Sequence, residues 1–87
     1  MSRKTVLITG CSTGIGRLSA KTFHANNWNV ISTMRSPEKE SELTQLDGVL
    51  VVKLDVNDPA SIDQAIAEGI ARFGHIDGLV NNAGRGG

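Results

Sequence analysis

Apolar residues are concentrated in four short segments of the chain, and polar or glycine residues follow each of them. Short runs rich in Val, Ile and Leu are typical of buried strands, because a strand covered on both faces has no need for alternating polar positions. We therefore predict four strands, over residues 4–9, 29–33, 49–54 and 77–82.

Apolar residues recur at helical spacing in two segments, one between the first and second strands and one between the third and fourth strands. A first helix is predicted from Gly14 to about residue 26, and its periodic positions are Ile15, Leu18, Thr22 and Phe23. Another is predicted between the Asp58-Pro59 start signal and Gly74. Its apolar face is formed by Ile62, Ala65, Ile66, Gly69, Ile70 and Phe73.

The segment between the second and third strands carries a start signal but a weaker apolar pattern. Ser36 is a candidate N-cap and Pro37 suits a first helical turn, so we predict a short helix through about Leu46. The resulting order is β-α-β-α-β-α-β. Strands that alternate with helices indicate a parallel sheet with helices on both faces.

We therefore expect an α/β chain with a Rossmann-like, doubly wound parallel sheet in the strand order 3-2-1-4. Residues 1–87 are interpreted as a single, partial domain, with a sheet that is incomplete after the fourth strand. The fourth strand would present an unpaired edge, which favours a fragment of a longer protein over a free-standing domain.

Composition narrows the class of protein. Nine basic residues balance nine acidic ones, which gives no indication of a nucleic-acid partner. A single cysteine, Cys11, excludes an internal disulfide and favours a reducing compartment. The apolar run at residues 6–8 is too short for a signal peptide or a membrane segment, so we expect a cytoplasmic protein.

The run TGCSTGIG, at residues 9–16, offers a phosphate-binding turn between a strand and a helix. Gly10 would allow a sharp turn, Gly14 would let a pyrophosphate approach the backbone, and Gly16 would let the helix pack close to the sheet. Ser12 and Thr13 add hydroxyl donors. A glycine-rich turn without a ligand is the alternative interpretation.

Three motifs in this order resemble the short-chain dehydrogenase/reductase family. They are Thr-Gly-x-x-x-Gly-x-Gly at residues 9–16, an acidic and an apolar residue at Asp55-Val56, and Asn-Asn-Ala-Gly at residues 81–84. The resemblance covers the whole chain, but only the N-terminal third or so of a typical family member.

The resemblance implies a nicotinamide dinucleotide site and a role for each matching residue. The glycine motif would hold the diphosphate and the adenosine ribose, Asp55 would accept a hydrogen bond from the adenine amino group, and Val56 would flank the ring. The residues implied in cofactor binding are Gly10, Ser12, Thr13, Gly14, Ile15, Gly16, Asp55, Val56, Asn82, Ala83 and Gly84.

The end of the second strand bears on the choice of cofactor. NAD enzymes of this architecture carry an acid there to hold the ribose 2′-hydroxyl, whereas Met34 occupies that place here and Arg35 follows. An arginine can bind a 2′-phosphate through charge-assisted hydrogen bonds. We therefore favour NADP(H), with NAD(H) as the alternative.

The family's reaction needs a tyrosine as the general acid/base, with a lysine and a serine beside it, all from later in the chain. This sequence contains no tyrosine, so no catalytic residue can be named. No metal-ligand cluster is apparent either. The resemblance implies an oxidoreductase parent acting on a small carbonyl or alcohol substrate, with a homo-oligomeric parent expected. The alternative is a non-catalytic dinucleotide-binding module or subunit.

Overall fold

Alternating strands and helices build a four-stranded parallel sheet. The computed structural model describes residues 3–11 and 14–81. The strands are β1 (Thr5–Ile8), β2 (Asn29–Met34), β3 (Val49–Lys53) and β4 (Gly78–Val80), and the helices are α1 (Gly14–Ala25) and α2 (Pro59–Phe73). All three pairings are parallel, in the order β3-β2-β1-β4. The predicted fold class and strand order are confirmed.

The two helices lie on opposite faces of the sheet because neighbouring residues of a strand point to opposite sides. Val6, Ile8 and Val30 pack with Ala20 of α1 on one face. Leu7 and Ile31 pack with Ala65 of α2 on the other face. The central strands are therefore covered on both sides, which explains their uninterrupted apolar sequences.

α2 begins and ends where the sequence indicates. The Asp58 side chain accepts a hydrogen bond from the backbone N–H of Ala60, at 3.2 Å, and Pro59 occupies the first turn. Gly74 ends the helix with a φ of 90°, a left-handed conformation that favours glycine. Gly69 is buried against Ile31, so the helix lies close to the sheet.

The predicted helix over residues 36–46 is wrong. The segment forms two short 3-10 helices, Pro37–Lys39 and Leu43–Gln45, separated by extended backbone at Glu40. The Ser36 side chain makes no capping hydrogen bond. Instead, the Glu40 carboxylate accepts from the backbone N–H groups of Glu42 and Leu43, at 2.9 and 2.7 Å, which interrupts a continuous helix.

The predicted apolar positions of α1 also need correction. Ile15 and Leu18 are 72% and 64% exposed, whereas the small residues Gly16 and Ala20 are the buried ones. Small side chains bring α1 close to the sheet, and Ile15 and Leu18 then point away from it, whereas Phe23 packs against the core as predicted. Strand ends differ from the prediction by only one or two residues, most at β4.

Candidate functional site

The carboxyl ends of the four strands meet at one edge of the sheet, where hydrogen bonds join them laterally. The backbone N–H of Thr9 donates to the Val80 carbonyl at 3.0 Å, and that of Cys11 donates to the Thr33 carbonyl at 2.9 Å. Further along the edge, the Leu54 N–H donates to the Met34 carbonyl at 2.9 Å. Open parallel sheets bind ligands at the carboxyl ends of their strands, at the switch point where the strand order reverses.

The glycine turn follows β1 directly and leads into α1. Gly10 and Gly14 have φ values of 67° and 61°, in the left-handed region that glycine adopts without steric cost. A Cβ built on Gly14 would have no atom of residues 3–11 and 14–81 within 4 Å, so the described part of the chain leaves space open beside this backbone. Ile15 is exposed there, and Gly16 is buried. The first N–H groups of an α-helix have no partner within the helix, and together with the helix dipole they attract anions to the start of α1.

Cys11 lies in this turn, but its thiol is not available for chemistry. The side chain is fully buried, and its Sγ lies 3.3 Å from the Ile8 carbonyl oxygen as a hydrogen-bond donor. Burial raises the pKa of the Cys11 thiol, so the group stays protonated near neutral pH. The residue fills space beneath the turn.

Asp55 and Val56 follow β3 at the same edge. The Asp55 carboxylate accepts the Asn57 backbone N–H at 2.9 Å, and its own N–H donates to the Ser61 hydroxyl at 2.9 Å. These two bonds fix the residue between β3 and α2. Val56 is 46% exposed, so an apolar surface stands next to the carboxylate. The pair matches what an adenine ring needs, an acceptor for its amino group and an apolar wall.

After β4, Asn81 lies against the end of β1. The Thr9 hydroxyl is 3.2 Å from Asn81 Oδ1 and 3.4 Å from the Val80 carbonyl oxygen. The ends of the two central strands are thereby held together beside the glycine turn. Five predicted site residues lie outside the described residues, and they are Ser12, Thr13, Asn82, Ala83 and Gly84.

A cleft of about 380 Å³ opens at the end of β2. Met34 is the last residue of the strand and is buried, whereas Arg35 is exposed. No carboxylate therefore occupies the strand end itself. The cleft is lined by Arg17, Met34, Arg35, Ser36, Lys39, Glu40 and Ser41. A larger concavity, along the outer side of β3, does not include the glycine turn.

Arg17 and Glu40, which both line this cleft, belong to an ion-pair network. Arg17 donates from Nη1 to Glu40 Oε1 at 2.6 Å and from Nη2 to Glu40 Oε2 at 3.1 Å and to Glu42 Oε1 at 2.5 Å. Lys21, one turn further along α1, contacts Glu42 at 3.0 Å. The Arg17 guanidinium lowers the pKa of Glu40 to about 2, and both carboxylates raise the pKa of Arg17.

Two further observations concern residues 3–11 and 14–81. No helix in these ranges is long and apolar enough to cross a membrane. No group of three or more His, Cys, Asp or Glu side chains there could hold a metal ion.

Residues 4–87 match the family model described as short chain dehydrogenase. The chain belongs to the short-chain dehydrogenase family. It is 45% identical to the short-chain dehydrogenase ptmH of Penicillium ochrochloron over 89 aligned residues, which cover 99% of this chain and 32% of the relative. This short-chain dehydrogenase chain thus spans about a third of the length of the curated relative.

Solved structures of the family share the fold. A short-chain dehydrogenase from Streptomyces avermitilis is 42% identical, with a TM-score of 0.85 over 97% of this chain and 32% of that one. The actinorhodin polyketide ketoreductase F189W, with NADPH, has a TM-score of 0.88 at 29% identity, covering 100% and 36%. The 3-ketoacyl-(acyl-carrier-protein) reductase of Brucella melitensis, complexed with NADH, has a TM-score of 0.82 at 29% identity, and the match covers 90% of this chain and 33% of that one.

The described part of the predicted site lies along one edge of this short-chain dehydrogenase sheet. The structure places Gly10, Gly14, Ile15 and Gly16 after β1, Arg35 after β2, and Asp55 and Val56 after β3. Their roles as cofactor ligands stay predictions. Neither the Arg17 network nor the place of Lys39 in the cleft was predicted from the sequence. The spacing of Arg17 and Lys21, four residues apart on α1, was the available signal.

Proposed function

We propose that this chain forms the adenosine and diphosphate half of an NADP(H) site in an oxidoreductase. The complete protein would transfer a hydride between the nicotinamide and a carbonyl or hydroxyl carbon of a small substrate. Membership of the short-chain dehydrogenase family supports the activity. Solved relatives that hold NADH and NADPH support a nicotinamide dinucleotide, and the choice between these two has to come from this chain's own residues.

The glycine turn is the proposed place of the diphosphate. The open space beside Gly14 would admit phosphate oxygens, which would accept hydrogen bonds from the first N–H groups of α1. The adenine would lie between the end of β2 and Asp55, with Val56 against one face of the ring. The adenosine ribose, which links the adenine to the diphosphate, would then lie over the end of β2.

The NADP(H) assignment rests on the end of β2, where Met34 and Arg35 stand in place of the acidic residue that NAD enzymes of this architecture carry. A carboxylate there would accept hydrogen bonds from the ribose hydroxyls and repel a phosphate. Met34 is 4% exposed and contributes no charge, while Arg35 lines the cleft and forms no ion pair within residues 3–11 and 14–81. A guanidinium without a carboxylate partner is well suited to bind a phosphate.

The test is cofactor binding by Arg35→Ala in the intact protein that carries this chain. A charge-assisted hydrogen bond contributes about 1.5–3 kcal/mol, so NADPH should bind roughly 10- to 100-fold more weakly. NADH should be affected little, because it has no 2′-phosphate. Met34→Asp combined with Arg35→Ala should favour NADH. The measurement is the Kd for both cofactors by fluorescence titration.

Arg72→Ala is the matched control, since Arg72 is an exposed arginine in the last turn of α2 and does not line this cleft. Equal losses for both cofactors in Arg35→Ala would contradict the 2′-phosphate role. A wild-type protein that prefers NADH would overturn the assignment. Oxidation of NADPH with a panel of aldehydes and ketones, followed at 340 nm, separates an enzyme from a non-catalytic dinucleotide-binding module.

A further inference from the structure

The cleft at the end of β2 is rich in positive charge. Three cationic side chains line it, Arg17, Arg35 and Lys39, against a single carboxylate, Glu40. Two hydroxyl residues, Ser36 and Ser41, also contribute to its surface.

Arg17 is not available for a ligand, because two carboxylates already satisfy it. Its guanidinium makes a bidentate pair with Glu40 and a further hydrogen bond to Glu42. Lys21 also pairs with Glu42, so the network holds two cations and two anions and is neutral as a whole. The charge that this cleft offers to an anion must therefore come from the remaining two cations.

Those two cations are Arg35 and Lys39. Both are exposed, and neither forms an ion pair in the part of the chain that the structure describes. Lys39 is the last residue of the first 3-10 helix and directly precedes Glu40. Since the Arg17–Glu40 pair ties Glu40 to α1, the backbone that carries Lys39 is fixed against the wall of the cleft.

We propose that Lys39 is a second specificity-determining residue, whose ammonium group binds the 2′-phosphate of NADP(H) together with Arg35. The inference rests on the proposed NADP(H) function. A phosphate monoester carries a charge of about −1.5 to −2 near pH 7, which two cations balance better than one. Arg35 supplies a planar, two-pronged donor, and Lys39, which lines the same cleft, supplies a flexible point charge.

The test compares Lys39→Gln with Lys4→Gln in the intact protein that carries this chain. Lys4 precedes β1 at the opposite edge of the sheet. Lys4→Gln changes the net charge by the same amount as Lys39→Gln, so it controls for long-range electrostatics. We expect Lys39→Gln to weaken NADPH binding by about tenfold and to leave NADH binding within about twofold of wild type. Lys4→Gln should change neither Kd by more than about twofold, and Lys39→Arg should retain most of the NADPH affinity.

The pH dependence gives a readout that a purely structural role of Lys39 would not show. The second pKa of a phosphate monoester is about 6, so its charge falls toward −1 below that pH. The NADPH loss in Lys39→Gln should therefore shrink between pH 7.5 and pH 5. The same pattern is expected for inhibition by 2′,5′-ADP, which contains the phosphate but no nicotinamide.

The outcomes distinguish this inference from the function on which it rests. If Arg35→Ala loses NADPH affinity but Lys39→Gln does not, the Lys39 role is overturned and the NADP(H) site stands. Equal losses of NADPH and NADH in Lys39→Gln would also overturn it, because they indicate a structural effect. A wild-type protein that binds NADPH no better than NADH would overturn the proposed cofactor, and the Lys39 role with it.

Discussion

Gly69 is buried in the C-terminal half of α2, where the helix packs directly on Ile31 of the sheet. A Cβ at this position would overlap the Cδ1 of Ile31 and stand 3.1 Å from its Cγ1. Ile31 belongs to β2 and is fully buried, with Leu7 and Leu50 as its neighbours in the adjacent strands. The side chain therefore has little room to move, and we expect Gly69→Ala to destabilise the protein.

Two opposing effects set the magnitude. Alanine favours the helix by about 1 kcal/mol over glycine, and overpacking of a core costs about 1–3 kcal/mol. The net expectation is a loss of about 1 kcal/mol in the free energy of unfolding. Ile31→Val removes the overlapping Cδ1 at a cost of about 0.5–1.5 kcal/mol by itself. In the double variant the new methyl group fills the vacated space, so Gly69→Ala should become stabilising.

The assay is urea unfolding followed by far-UV circular dichroism, arranged as a double-mutant cycle. Ala67→Gly is the control, because Ala67 is exposed on the same helix and reports helix propensity alone. We expect a coupling energy of about 1–2 kcal/mol between positions 69 and 31. A stabilising Gly69→Ala in the wild-type background would refute the close approach of α2. Additive effects would show that Ile31 is not the residue that limits the space.

Two further predictions concern the cleft wall and the glycine turn. Because the pKa of Glu40 is lowered to about 2, its contribution to stability is complete above pH 4.5 and is lost as the pH falls toward 2. The pKa shift corresponds to a free energy of about 3 kcal/mol. Solvent around the partly exposed Arg17 should reduce this contribution to about 1–2 kcal/mol. Unfolding free energies measured from pH 7 to pH 3 should fall less steeply in Glu40→Gln, and parallel curves would contradict the ion pair's role. Gly14→Ala should weaken NADPH and NADH equally, because the methyl group enters the proposed diphosphate space, whereas Gly74→Ala, at another positive φ but outside the site, should cost stability without weakening binding. Unchanged Kd values in a folded Gly14→Ala variant would contradict the phosphate assignment.

The strands and the sheet order could be predicted because their signals are local. Apolar runs such as residues 49–53 have the composition of buried parallel strands, and glycine or proline punctuates their ends. The glycine turn was equally legible, since Gly10 and Gly14 do adopt the left-handed backbone that such a motif requires. α2 was predicted almost to the residue by Asp58, Pro59 and Gly74.

The errors arose where distant residues decide the local structure. Ser36 and Pro37 are a valid start signal for a helix, but Glu40 is held by Arg17, 23 residues away in sequence, and interrupts it. Likewise, Ile15 and Leu18 have helical spacing, yet the close packing of α1 selects the face with Gly16 and Ala20. The cationic cleft depends on the same ion pair and could not be derived from spacing alone.

The hydrogen bonds of Thr9 have a consequence for the order of folding. Thr9 begins the glycine turn, and its partners Val80 and Asn81 lie 71 and 72 residues further along the chain. Closing a contact of this sequence separation costs chain entropy, and such contacts slow folding. We therefore expect the turn to gain its final support late in folding, when β4 docks beside β1. A dinucleotide that binds the turn would select fully paired sheets and protect them from unfolding.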